Sequence, residues 1–203
     1  MQFPVICLIT SGEGGVPGLV REAASAGVDV VQIREPQLQS GALLSYARQA
    51  VGEAGHTPCR VLVNDRLDIA IAATAAGVHL RGDSFPAARV RSLALAGFVI
   101  GRSVHSAAEA AAVTDQGGCD YLIFGTVFRS RSKPTGHPVA GLAVLREVCR
   151  ATALPVIAVG GISLGNVAEV VAAGAKGVAA ISLFRDGAPI SSTVSRLRQP
   201  FDT

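Results

Sequence analysis

Short apolar runs rich in β-branched residues recur along the chain, and each is followed by a longer stretch dominated by Ala, Leu and Arg. The runs at 5–10, 28–34, 60–64, 77–80, 98–104, 121–125, 156–160 and 177–182 are predicted strands. Most are continuously apolar rather than alternating, which is the pattern of strands covered on both faces. The stretches at 16–26, 40–54, 66–75, 86–96, 107–116, 140–151, 165–173 and 189–197 are predicted helices. Their ends carry local signals. Ser84 precedes Pro86, Ser106 stands three residues before Glu109, and Pro189 opens the last helix. Such residues satisfy or tolerate the unpaired N–H groups of a first turn. Gly27, Gly55, Gly77, Gly117 and Gly174 stand where helices are expected to stop.

Eight strand–helix units in 203 residues predict a (β/α)8 TIM barrel, read as one domain over residues 1–203. A doubly wound open sheet is the alternative, but its glycine-rich turn belongs after the first strand. Here the paired glycines, Gly160 and Gly161, follow the seventh. In a barrel the chemistry is sought at the C-terminal ends of the strands.

Composition narrows the partners. No apolar run approaches the roughly 18 residues of a spanning helix, so no membrane is expected. Aromatic residues make up 4% with no Trp, and the net charge is only +3, with 16 Arg spread along the chain and two lysines, Lys133 and Lys176. Neither a stacking platform nor a basic stripe for nucleic acid is present. Cys7, Cys59, Cys119 and Cys149 form no CxxC pair and read as free thiols of a cytoplasmic protein. Small-molecule phosphate ligands remain, and whether the chain forms a homo-oligomer is left open.

The strand ends supply candidates. Gln32 and Arg34 share a parity and are expected to point into the mouth, where an anion would partner them; an ion pair of Arg34 with Asp65 is the plainer reading. Asp65 is either the cap of the next helix or a Mg2+ ligand. His79 fits a satisfied core residue. His105, at a strand-to-loop junction, is a general base or a supporting hydrogen-bonder. The segment Arg129-Ser130-Arg131-Ser132-Lys133 combines hydroxyls and cations suited to phosphate oxygens. Gly160 and Gly161, with Ile181-Ser182 after the eighth strand, suit the anion nest that barrels build from their last two loops.

These segments occur in one order: Gln32-Ile-Arg34, Val63-Asn64-Asp65, Gly77-Val-His-Leu, Gly101-Arg-Ser-Val-His105-Ser, Gly125-x-Val-Phe128 with Ser130-x-Ser132-Lys133, Ala158-Val-Gly160-Gly161-Ile162 and Ala180-Ile-Ser182. Together they resemble the thiamine phosphate synthase/TenI superfamily. The resemblance implies a transferase in which a hydroxymethylpyrimidine pyrophosphate loses pyrophosphate with Mg2+ assistance and the cation is captured by a thiazole phosphate. By position, Gln32, Arg34, Asn64, Ser103 and Lys133 would hold the pyrimidine pyrophosphate, with Lys133 counted as catalytic. Asp65 would bind Mg2+. Ser130, Ser132, Gly160, Gly161, Ile181 and Ser182 would hold the thiazole phosphate.

The departures fall in the pyrophosphate half. Pro36 stands where the synthase pattern has Lys. Ser84 stands where a second Mg2+ carboxylate belongs, with Asp83 one residue early. The TenI branch, a thiazole tautomerase, would need His where this chain has Thr126, with His105 as substitute base. A binder of thiazole or thiamine phosphate without catalysis is the third reading.

Overall fold

The computed structural model describes residues 2–12, 18–130, 134 and 136–202. Its strands are β1 (Val5–Ile9), β2 (Val30–Ile33), β3 (Arg60–Asn64), β4 (Gly77–Leu80), β5 (Val99–Val104), β6 (Tyr121–Phe124), β7 (Val156–Val159) and β8 (Gly177–Ala180). They form a closed barrel in sequence order, and β8 pairs with β1. All eight pairings are parallel. Between them run α1 (Leu19–Ser25), α2 (Ser40–Ala54), α3 (Leu67–Ala72), α4 (Ala87–Arg91), α5 (Ala107–Gln116), α6 (Gly141–Arg150), α7 (Val167–Ala172) and α8 (Ile190–Arg198). The expected TIM barrel is therefore the fold.

The alternation of side chains along each strand separates two apolar layers. Ile6, Leu8, Val31, Val63, Ile100, Leu122 and Val178 face outward and pack beneath the helices. Val5, Cys7, Ile9, Val30, Leu62, Val99, Tyr121, Ile123, Ile157 and Ala179 fill the barrel. The free thiols of Cys7 and Cys59 are buried, and burial pushes both up, that of Cys59 to about 12.

The end opposite the mouth is held by two matching clamps. Asp29 Oδ2 accepts from the N–H of Ile6 at 2.7 Å and from Arg198 Nη2 at 2.7 Å. Arg198 also donates to the carbonyls of Pro4 and Gly27. Four strands on, Asp120 Oδ2 accepts from the N–H of Ile100 at 2.7 Å and from Arg91 Nη2 at 2.6 Å. Arg91 donates to the carbonyls of Phe98 and Gly118. The carbonyls lie two residues before the paired strand residues in both cases, so the clamps match, with one added bond from Arg91 Nε to the Gly118 carbonyl. They relate β1–β2 with α8 to β5–β6 with α4.

Several expected ends are corrected. Ser106 does cap α5, accepting from the Glu109 N–H at 3.1 Å. Glu109 returns a bond to the N–H of His105 rather than to that of Ser106. Ser84 does not cap α4: Pro86 holds the cap position without a side-chain bond, and the Ser84 hydroxyl is used elsewhere. Gly77 is not a helix stop but the first residue of β4, where a Cβ would lie 2.1 Å from the Val99 carbonyl oxygen.

Candidate active site

The mouth is polar where β2 to β5 end, because the inward positions there carry Gln32, Asn64, His79 and Ser103, with the phenol of Tyr121 reaching His79 from the start of β6. Gln32 is buried and its Nε2 donates to Asn64 Oδ1 at 2.9 Å. Its Oε1 is buried with no partner among the described residues. A buried amide oxygen without a donor is costly, so the arrangement favours a ligand N–H at that point. Arg34, the other half of the expected inward pair, stands just past the ladder. Its side chain is exposed, and its N–H is bound to Thr10 Oγ1 at 2.9 Å. Among the described residues Arg34 and Asp65 form no ion pair.

Asp65 is not a helix cap. Arg66 holds the cap position of α3. Asp65 itself has φ +60°, a left-handed conformation that costs a non-glycine residue about 1–2 kcal/mol. Its N–H donates to the His79 carbonyl at 2.8 Å, and its Oδ1 accepts from the Ser84 hydroxyl. Ser84 Oγ in turn accepts from the Arg81 N–H at 2.9 Å. Behind this loop the buried guanidinium of Arg102 donates to the carbonyls of Gly82, Ser84 and Phe85 at 2.8–3.0 Å. Asp83 pairs with Arg81 at 2.9 Å on the exposed side of the loop and does not join Asp65. Among the described residues no three His, Cys, Asp or Glu side chains are grouped to hold a metal. Asp65 is thus the one carboxylate of the sequence-predicted metal pair at this rim, and a cage made by the protein alone is not present among the described residues.

His79 is the satisfied core histidine that its apolar surroundings suggested. Nδ1 lies 3.1 Å from the Tyr121 hydroxyl and Nε2 lies 2.9 Å from Ser103 Oγ. Burial, together with the nearby Arg102 cation, pushes its pKa down to about 3, so the ring is neutral. His105 is exposed, and its Nδ1 sits 2.9 Å from the Gly125 carbonyl. A carbonyl only accepts, so Nδ1 carries a proton there.

On the far side of the mouth the segment after β6 lies against the end of β7. The N–H of Phe128 donates to the Gly160 carbonyl at 2.9 Å. A Cβ on Gly160 (φ +99°) would lie 2.5 Å from Thr126 Cγ2, and one on Gly161 (φ +64°) 2.4 Å from the Arg129 carbonyl oxygen. The glycine pair thus admits the neighbouring loop and brings Ser130 beside the turn after β7. Asn166 braces that turn, accepting from the Ser163 N–H and donating to the Gly161 carbonyl. Ile181 lines the interior rim, and the exposed Ser182 opens a 3-10 turn, Ser182–Arg185, that buries Phe184. Ser132 and Lys133 lie outside the described residues.

Two side chains with a part in this site escaped the sequence reading. Arg102 faces outward from β5 and holds the Ser84 loop through carbonyls, which no spacing announces. Tyr121 had a signal: a lone phenol at an inward position of an otherwise apolar strand, opposite a glycine.

The sequence model of the thiamine monophosphate synthase family matches residues 6–184. The thiamine-phosphate synthase of Methanoculleus marisnigri is 42% identical over 183 residues, covering 89% of this chain and 85% of that protein. The putative thiamine-phosphate synthase of Geobacter sulfurreducens is 43% identical over 165 residues, covering 81% and 76%. Among solved structures, thiamine phosphate pyrophosphorylase from Pyrococcus furiosus superposes with a TM-score of 0.84 at 28% identity, covering 98% of this chain and 95% of that one. With its closed barrel and its polar mouth, the chain belongs to the thiamine monophosphate synthase family.

Proposed function

We propose that the chain is a thiamine-phosphate synthase, joining hydroxymethylpyrimidine pyrophosphate to thiazole phosphate with release of pyrophosphate. The observation that carries this reading is the orphaned Gln32 Oε1, buried in the mouth beside Asn64 and asking for a ligand N–H, which an aminopyrimidine supplies. In this reading Gln32, Asn64 and Ser103 orient the pyrimidine. Arg34 and Lys133 balance the charge of the departing pyrophosphate. Ser130, Ser132, Gly160, Gly161, Ile181 and Ser182 receive the thiazole phosphate. Asp65 holds Mg2+, which when bound neutralises charge on the leaving group. The C–O bond to pyrophosphate breaks and the thiazole nitrogen forms the new C–N bond with its own lone pair. No general base is required, so His105 supports the mouth through its bond to Gly125.

The TenI-type tautomerase is the less favoured reading. Thr126 carries no group that ionises near neutrality, leaving His105 as the proton carrier. Purified protein supplied with both synthase substrates and Mg2+ is expected to form thiamine phosphate. No product at high enzyme concentration overturns the synthase reading. Turnover of a thiazole carboxylate phosphate that is abolished in His105→Ala would replace it with the tautomerase.

A further inference from the structure

Behind Ser103 lie two buried polar side chains to which the synthase reading gives no role. His79 on β4, Gly101 on β5 and Tyr121 on β6 stand side by side in the barrel register. The phenol reaches the imidazole across the space that Gly101 leaves open: a Cβ there would lie 2.1 Å from Tyr121 Cζ and 2.4 Å from its oxygen. Three adjacent strands are therefore built to bring these two groups together.

Burial settles where the protons sit. The Tyr121 hydroxyl is buried, its ionisation is pushed far up by desolvation, and among the described residues its hydrogen bond is to His79 Nδ1. Were Nδ1 protonated, the phenolic O–H would be left buried with no acceptor. Tyr121 therefore donates and Nδ1 accepts. A neutral ring then carries its single proton on Nε2, which donates to Ser103 Oγ at 2.9 Å. With that lone pair taken, the Ser103 hydroxyl proton turns away from the ring, toward the mouth where the side chain is half-buried.

We propose that Tyr121 and His79 are positioning residues that lock the imidazole in its Nε2–H tautomer and thereby fix Ser103 as a hydrogen-bond donor to an acceptor atom of the pyrimidine pyrophosphate. The identity of that recipient rests on the synthase reading; the tautomer and the proton direction do not. An unsupported serine hydroxyl rotates between donor and acceptor orientations, whereas this one is preset before ligand arrives. The mouth then offers one fixed acceptor, Gln32 Oε1, and one fixed donor, Ser103 Oγ.

Two measurements test this. In a two-bond 1H–15N spectrum of the 15N-labelled protein, the His79 ring, identified by its absence from His79→Gln, is expected to show a protonated Nε2 and a bare Nδ1. A protonated Nδ1 or a doubly protonated ring overturns the proposal, whether or not the protein turns over any substrate. In the synthase assay, Tyr121→Phe is expected to raise KM for the pyrimidine pyrophosphate about tenfold while leaving KM for thiazole phosphate unchanged. The same change is expected to be silent in a Ser103→Ala background, because its effect passes through that hydroxyl. Equal rises in both KM values, or effects that multiply in the double variant, overturn it. If Tyr121→Phe does not fold, the spectrum of the unaltered protein decides. Absence of synthase turnover in the unaltered protein counts against the synthase reading alone.

Discussion

The two matching clamps at the base of the barrel make a quantitative prediction. Replacing Arg91 by Ala removes its bond to Asp120 and its donations to Phe98 and Gly118. Asp120 keeps only the N–H of Ile100. Replacing Arg198 removes the equivalent set, leaving Asp29 with the N–H of Ile6. A charge-assisted bond is worth about 1.5–3 kcal/mol, but both side chains are roughly one-third exposed, and solvent replaces part of the loss. Each substitution is therefore expected to cost about 2 kcal/mol, a Tm drop of about 4–8 °C for a chain of this size. The clamps join different strand pairs and share no partner, so the double variant is expected to lose about 4 kcal/mol, the sum of the two. Urea titration of the four proteins at neutral pH checks both numbers. The clamps lie at the end of the barrel away from the mouth, so kcat measured well below the lowest Tm is expected to stay unchanged. The reasoning is refuted if either arginine costs under about 0.5 kcal/mol. It is also refuted if the two differ several-fold, or if the double variant departs from the sum.

Other outcomes follow from the same geometry. Gly101→Ala drives a methyl into the Tyr121 ring and is expected to cost about 1–3 kcal/mol or more, read from the urea midpoint. The folded state holds the pKa of His79 at about 3, below its ordinary 6.5, so the unfolded chain binds the extra proton between those values. Stability from this group is complete above pH 6.5 and falls by about 1.4 kcal/mol per pH unit on acidification toward pH 3. A steeper loss between pH 6.5 and 5 in the unaltered protein than in His79→Gln is the expected observation. Ser84→Asp replaces the hydroxyl that bonds Asp65 with a second carboxylate, so Tm without divalent ions is expected to fall, and Mg2+ alone to restore it. A variant insensitive to Mg2+ would show that the loop does not bring the two side chains together.

Much of the barrel was legible because it is written in local patterns. Apolar runs separated by helical stretches predicted all eight strands in their correct order, since burial on both faces leaves no polar face to interrupt them. Strand ends were overextended. The run at 28–34 becomes β2, Val30–Ile33, because Val28 packs under the helices without joining the ladder and Arg34 leaves it at the mouth. Glycine was the weakest guide. Gly27 and Gly174 do follow helices with positive φ, but Gly77 serves a close approach between β4 and β5 that only their pairing creates. The clamp signature, Gly27-x-Asp29 and Gly118-x-Asp120, is present in the sequence, yet one arginine stands 29 residues before its aspartate and the other 169 residues after, so no shared spacing links them.

The site divides along the same line. Parity along a strand is a property of neighbouring residues, so the sequence could place Gln32 inward on its own strand; that Asn64, His79, Gly101, Ser103 and Tyr121 share the interior with it follows from how the strands pair. Which of them touch was decided by closure. Gln32 meets Asn64, Ser103 and Tyr121 meet His79, and Ser84 meets Asp65 across separations of 19 to 42 residues. Those contacts depend on the register and tilt with which eight strands close, quantities that no short segment carries. The turn of Ser84 away from α4 and toward Asp65 follows for that reason: the buried Arg102 guanidinium had to find its acceptors in the loop beside it, and the carbonyls of Gly82, Ser84 and Phe85 were the ones the fold placed there.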